Sequence, residues 1–164
     1  MGLDQFFHKC KKHEWAAYQK ELEAYENKPS DENEEGNEHP NRSFDPEEIG
    51  YFRKVNFLMQ EFAYYGNCEY KEIAKCELED LRDKCARLAQ IKPHELTNGS
   101  EEKEYDEEDI ALAEELLPTC SGFFYGSTDY DEWYFEDVKE VLNWVTGVLD
   151  NLEDDEVVLM YCWW

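Results

Sequence analysis

Residues 129–164, DYDEWYFEDVKEVLNWVTGVLDNLEDDEVVLMYCWW, change periodicity part-way, and that change decides the fold class. Tyr134, Val138, Val141, Val145, Val148 and Leu152 recur at intervals of three and four, with Leu142 and Leu149 reinforcing the same side. This is the stripe of an amphipathic helix. Asp129 followed three residues later by Glu132 predicts its start, a capping box with an acid as the cap. From Val157 to Trp164 the residues turn β-branched and aromatic, which predicts a terminal strand. A helix feeding a strand without βαβ alternation predicts an α+β fold: amphipathic helices on a small sheet of N-terminal, central and C-terminal strands.

The natural partner for the last strand is at the other end of the chain, where Leu3, Phe6 and Phe7 predict a strand over 1–7. Trp15, Tyr18, Leu22 and Tyr25 then predict a helix over 14–27 that stops before Pro29. Residues 29–43 have no apolar side chain, two Pro and a Gly, and predict a flexible acidic loop. Asp45-Pro46-Glu47-Glu48 has the chemistry of a helix start, and Ile49, Phe52, Val55, Met59 and Phe62 extend the pattern to a stop at Gly66. A short strand is expected over 70–74, and a helix through Leu78, Leu81, Cys85 and Leu88, closed by Pro93. Residues 97–108 predict a second flexible acidic loop, and a short helix follows over 109–117. Ser121-Gly122-Phe123-Phe124-Tyr125-Gly126 suits a strand or a tight turn. At 164 residues the chain fits one domain.

Charge sets the partners. Forty-one Asp and Glu against 16 Lys and Arg leave a net charge of −25. Such a field repels nucleic acid and anionic membrane and draws the protein to basic surfaces. An aromatic fraction of 15% argues that the charge clothes a folded core, because disordered acidic chains are poor in Trp, Tyr and Phe. Residues 29–48, 101–109, 129–140 and 150–156 carry 23 of the 25 excess charges, whereas Lys9, Lys11, Lys12 and Lys20 make 9–20 locally positive. Carboxylates held in rows on regular elements would imitate duplex DNA, which presents about one charge per 1.7 Å of axis. The plainer alternative is that the acids only keep the protein soluble.

Catalytic and metal chemistry find little support. His8, Cys10 and His13 lack the paired spacing of a zinc site, and the six cysteines fit small buried hydrophobes in a reducing compartment. Asp129, Asp131 and Glu132 could gather a hard cation, but the residues of an EF-hand loop are missing and the capping role is preferred. Cys120-Ser121-Gly122 has no nucleophile-elbow glycine before it. No cofactor and no metal are expected. The N-terminus lacks an apolar signal region, Phe6 stands where a myristoylation motif needs Ser or Thr, and no apolar run reaches a bilayer-spanning length.

The opening Met1-Gly2-Leu3-Asp4, the stretch Tyr51-Phe52-Arg53-Lys54, the run from Ala113 to Thr119 and the motif from Leu116 to Tyr134 resemble small uncharacterised phage and prophage proteins. That family begins MGLD and carries LLPTxSGFFxGSTxYDxxY. Here Phe52 stands where Trp is usual, Cys120 where Gln is usual, and Cys162-Trp163-Trp164 where Ser-Ser-Trp is more common. The resemblance implies a phage context in the bacterial cytoplasm and no particular activity. Context and charge together lead to a non-enzymatic inhibitor of a basic, nucleic-acid-binding host defence protein, of the anti-CRISPR or anti-restriction kind. Glu47, Glu48, Asp106, Glu107, Asp131, Glu132, Asp154 and Asp155 would take phosphate-like positions, with Tyr130 and Trp133 as anchors. The alternatives are a phage accessory protein or enzyme with a metal or ligand site over 121–131, and an acidic structural or regulatory protein.

Overall fold

The computed structural model describes residues 2–28, 38–95, 101 and 103–164. Strand β1 (Asp4–Lys11) leads directly into α1 (Lys12–Glu26). A 3-10 turn (Pro40–Arg42) precedes β2 (Glu47–Arg53), α2 (Phe57–Glu61) and β3 (Tyr70–Ile73). Helix α3 (Lys75–Leu88) is followed by the paired two-residue strands β4 (His94–Glu95) and β5 (Lys103–Glu104), then α4 (Glu107–Leu116), α5 (Glu132–Asn151) and β6 (Glu156–Trp163). The main sheet is antiparallel throughout, in the order β2-β1-β6-β3. The fold is α+β, and the chain's two terminal strands pair at its centre, Asp4 opposite Trp163 and Lys11 opposite Glu156.

Strand β6 is buried on both sides, which its unbroken run of apolar residues permits. Val158, Met160 and Cys162 join Phe7 and Phe52 against the stripes of α3 and α5, centred on Leu78, Leu81, Val138, Val141 and Val145. Val157 and Leu159 face the other way and meet Cys10, Trp15 and Tyr18, with Phe44 and Tyr70 packed alongside. Helix α1 therefore covers one end of one sheet face, and α3 and α5 cover the opposite face. Among the described residues no helix is long and apolar enough to cross a membrane. All six cysteines are free; burial pushes the Cys10 and Cys85 thiols up to about 11 and about 12, as befits inert core groups.

The expected helix from Asp45 to Gly66 is the main correction. Its first half is the edge strand β2, and only Phe57–Glu61 is helical. Pairing with β1 outweighs a helical pattern weakened by Gly50, a residue costing about 1 kcal/mol in a helix interior. That glycine is needed where it stands, since a Cβ there would overlap the Trp144 indole of α5. One register step away, the ladder skips Ile49, whose carbonyl accepts from Trp144 Nε1 at 2.8 Å. The N-terminal strand runs to Lys11, beyond the expected residue 7. Residues 121–126 form a turn, with Tyr125 N donating to Gly122 O. Of the expected loops, 29–37, 97–100 and 102 lie outside the described residues; within the second, Lys103–Glu104 form β5 and Glu107 starts α4.

Candidate functional site

Helix α5 organises the acidic residues by sending them to its two ends. Twenty residues at 1.5 Å each separate those ends by about 30 Å. Its first turn is capped by Asp131, whose carboxylate accepts from Tyr134 N at 3.1 Å. Asp129, the expected cap, is exposed in the preceding loop, where its backbone N–H donates to Ser127 Oγ. Tyr134 then donates to Leu117 O at 2.8 Å, which ties the helix start to the end of α4. Asn56, almost fully buried, holds the intervening loop by donating to Ser127 O at 2.7 Å and accepting from Cys120 N at 3.3 Å.

Six of the ten expected partner-binding residues collect at this end. Asp131, Glu132 and Trp133 start α5, and Tyr130 precedes them. Lys103 pairs with Glu132, and Tyr105 stacks on Phe135 with centroids 4.2 Å apart, so β5 and the start of α4 bring Asp106 and Glu107 beside them. Asp106 accepts from or pairs with His94 at 2.9 Å, and that carboxylate raises the His94 pKa. Trp133 is 74% exposed and free to serve as an anchor. Tyr130 is not: its hydroxyl accepts from Thr119 N at 3.0 Å and its ring packs on Tyr134.

The other four residues lie at the far end, where Lys9 and Lys11 absorb much of the charge. Lys9 pairs with Glu47 at 3.5 Å and Glu156 at 3.3 Å; Lys11 pairs with Glu153 at 2.6 Å and Asp155 at 3.0 Å. Two of the four lysines of the locally positive stretch are thus engaged by acids of β2, β6 and the α5–β6 turn, while Lys12 and Lys20 are exposed. Glu48 lies opposite His8 on the strand pair, and Asp154 is exposed in the turn. The ten residues do not form one row.

At the α5 start, a cleft of about 310 Å³ opens between Arg53 and Lys54 on one side and Asp129, Asp131, Trp133 and Asp137 on the other. Lys54 adopts a left-handed backbone (φ 60°), and Gly126 (φ 86°) lies against its side chain, 3.2 Å from Lys54 Cβ to the place a Gly126 Cβ would take. Asp137 is held up to about 6, first by burial and then by the neighbouring charges of Glu140, Asp131 and Glu136. No ion pair among the described residues relieves it. Sequence reading did not single out Asp137, although its signal was there: Glu132, Glu136 and Glu140 recur at four, and Asp137 lies next to that row, half turned to the core.

Among the described residues, no group of three or more His, Cys, Asp or Glu is arranged to hold a metal ion, either at 121–131 or around His8, Cys10 and His13. Burial lowers the His8 pKa and keeps that ring neutral. Comparison of the chain with known protein families, with characterised proteins and with solved structures finds no match.

Proposed function

We propose that this protein is a non-enzymatic inhibitor, encoded by a phage or prophage and acting in the bacterial cytoplasm, that occupies the nucleic-acid-binding surface of a basic host defence protein. The observation that carries the reading is the start of α5, where fixed carboxylates surround an exposed tryptophan. Asp131, Glu132, Glu136, Asp137 and Glu140 fall within about 14 Å of helix axis. Duplex DNA presents about eight charges over that length; with Glu132 paired to Lys103 and Lys139 in the same stretch, the helix start alone offers a net three, more than a third of the density that a DNA-binding groove is built to meet. Asp137, a half-buried carboxylate with no ion pair among the described residues, gains most from a partner's Lys or Arg.

The test is capture of partners from bacterial lysate on the tagged protein, with elution by salt and by duplex DNA. Recovery of one nucleic-acid-binding defence protein, released by both, and its loss with the triple variant Glu136→Gln, Asp137→Asn, Glu140→Gln, is the expected result. Capture that ignores salt, DNA and the triple variant would overturn the mimicry. The cleft beside Gly126 favours a second reading, an accessory protein with a small-ligand site over 121–131. A retained small molecule in native mass spectra of the purified protein, lost with Asp131→Asn, would select it.

A further inference from the structure

The sheet face not covered by α3 and α5 carries a continuous line of aromatic rings. Tyr51 lies directly opposite Phe6, Phe6 opposite Tyr161, and Tyr161 opposite Tyr70, so one register row crosses all four strands as Tyr51-Phe6-Tyr161-Tyr70. Residues directly opposite share a face. The ring centroids are 5.1, 6.4 and 4.8 Å apart along the row, and the rings are tilted by 45–60°. Towards the strand ends beside the α5 start, the adjacent row on the same face is Arg53-Asp4-Trp163. Phe44 and α1 cover the Tyr70 end of the row; at the other end Tyr51 is 47% and Trp163 57% exposed.

We infer that the open part of this face, Tyr51, Phe6, Tyr161 and Trp163, is a docking surface for arginine side chains of a basic protein partner. The inference rests on the function proposed above and extends its contact surface from the α5 start onto the sheet.

Exposed aromatic rows accept several kinds of planar group, and the charge of this molecule chooses among them. A nucleobase would bring its phosphates into the field of a chain with net charge −25, and a second copy of the chain would bring a like charge. A guanidinium brings the opposite charge and a flat, weakly hydrated surface that stacks on aromatic rings. The acids on the face agree. Asp4 accepts from the Tyr51 hydroxyl at 2.5 Å, with the Arg53 guanidinium 4.0 Å away, which places a carboxylate beside the row. Glu48, opposite His8, flanks the row on its other side.

The test compares two blocked peptides of equal charge, tetra-arginine and tetra-lysine, titrated against the full-length protein and followed by amide and indole NMR shifts. An eight-residue oligothymidylate serves as a third probe. The guanidinium is planar and weakly hydrated and stacks on a ring face where the strongly hydrated ammonium does not, so tetra-arginine is expected to bind about five-fold more tightly than tetra-lysine. Tyr51→Ser with Trp163→Ser should bring the two peptides level, whereas Phe123→Ser, an exposed aromatic off this face, should keep the difference. Both substituted positions are exposed, and unchanged core methyl shifts would show that the fold is kept. Equal affinities in the wild type, a difference that survives the double variant, or tighter binding of the oligonucleotide would each overturn the inference. The titration needs no lysate partner, so it can fail while capture of a salt-released defence protein succeeds, and the reverse.

Discussion

Gln5 has no solvent exposure, yet both polar atoms of its amide are paired: Nε2 donates to Val55 O and Oε1 accepts from Val55 N, each at 3.0 Å. The side chain thus imitates a strand neighbour for a residue just past the end of β2. Gln5→Leu keeps the volume but strands the buried Val55 N–H, at about 1–3 kcal/mol, while Val55 O keeps Leu58 N as a donor at 3.1 Å. A loss of about 1–3 kcal/mol in urea unfolding is expected, and no loss would show that water reaches Val55. Asp137 gives a residue-scale effect of the opposite sign. Its folded pKa of about 6 lies above the ordinary carboxylate value, so the folded state holds the extra proton between about pH 4 and 6. Stability therefore falls as pH rises through that window and stays lowered above it. Asp137→Asn should gain about 1–2 kcal/mol at pH 7.5, allowing for solvent screening, and nothing at pH 3.5. Equal effects at the two pH values would show that the carboxylate is not the cause.

At the scale of elements, the pairs that the sequence made legible were those whose pattern and neighbours agree. The stripe of α5 and the helices expected over 14–27 and through Leu78, Leu81, Cys85 and Leu88 followed from periodicity, and the pairing of the first and last strands from their apolar and aromatic composition. The stretch from Asp45 failed because two periods overlap there: Ile49, Phe52, Val55 and Phe62 fit a helix, while the strand reading depends on β1 lying alongside, which no local pattern reveals. The aromatic row was illegible for the same reason, since its members come from four strands and only register aligns them. Site residues fared in parallel: the helix-start acids came together because they are close in sequence, while Glu47 and Asp155 were turned to Lys9 and Lys11 by tertiary pairing. Two substitutions follow. Gly50→Ala forces the Trp144 indole aside and breaks its bond to Ile49 O, so a loss of about 2–3 kcal/mol is expected, with the Trp144 Nε1–H resonance shifted. Asp131→Ala should cost about 1 kcal/mol as the cap of α5, while Asp129→Ala should cost almost nothing in the same thermal melts.

For the whole molecule the question is what a net charge of −25 costs a folded chain that must hold two acidic ends about 30 Å apart. Two forces oppose each other. Repulsion among unpaired acids destabilises the compact state and weakens as salt rises. Ion pairs such as Lys11 with Asp155 and Lys103 with Glu132 stabilise it and also weaken with salt, but exposed pairs contribute only about 0–1 kcal/mol each. With acids outnumbering bases 41 to 16, repulsion outweighs attraction. The screening length is about 30 Å at 0.01 M salt and about 8 Å at 0.15 M, so the two ends of α5 interact in the first condition and not in the second. Raising NaCl from 0.01 to 0.15 M should therefore raise Tm by about 3–6 °C, the equivalent of 1–2 kcal/mol for a chain of this size. From 0.15 to 0.5 M the gain should shrink, because only repulsion within each end is left to screen. A Tm that falls over the first interval would mean that the ion pairs outweigh the surplus. The acids would then be held in place by their cations, and a basic partner would gain little by replacing them.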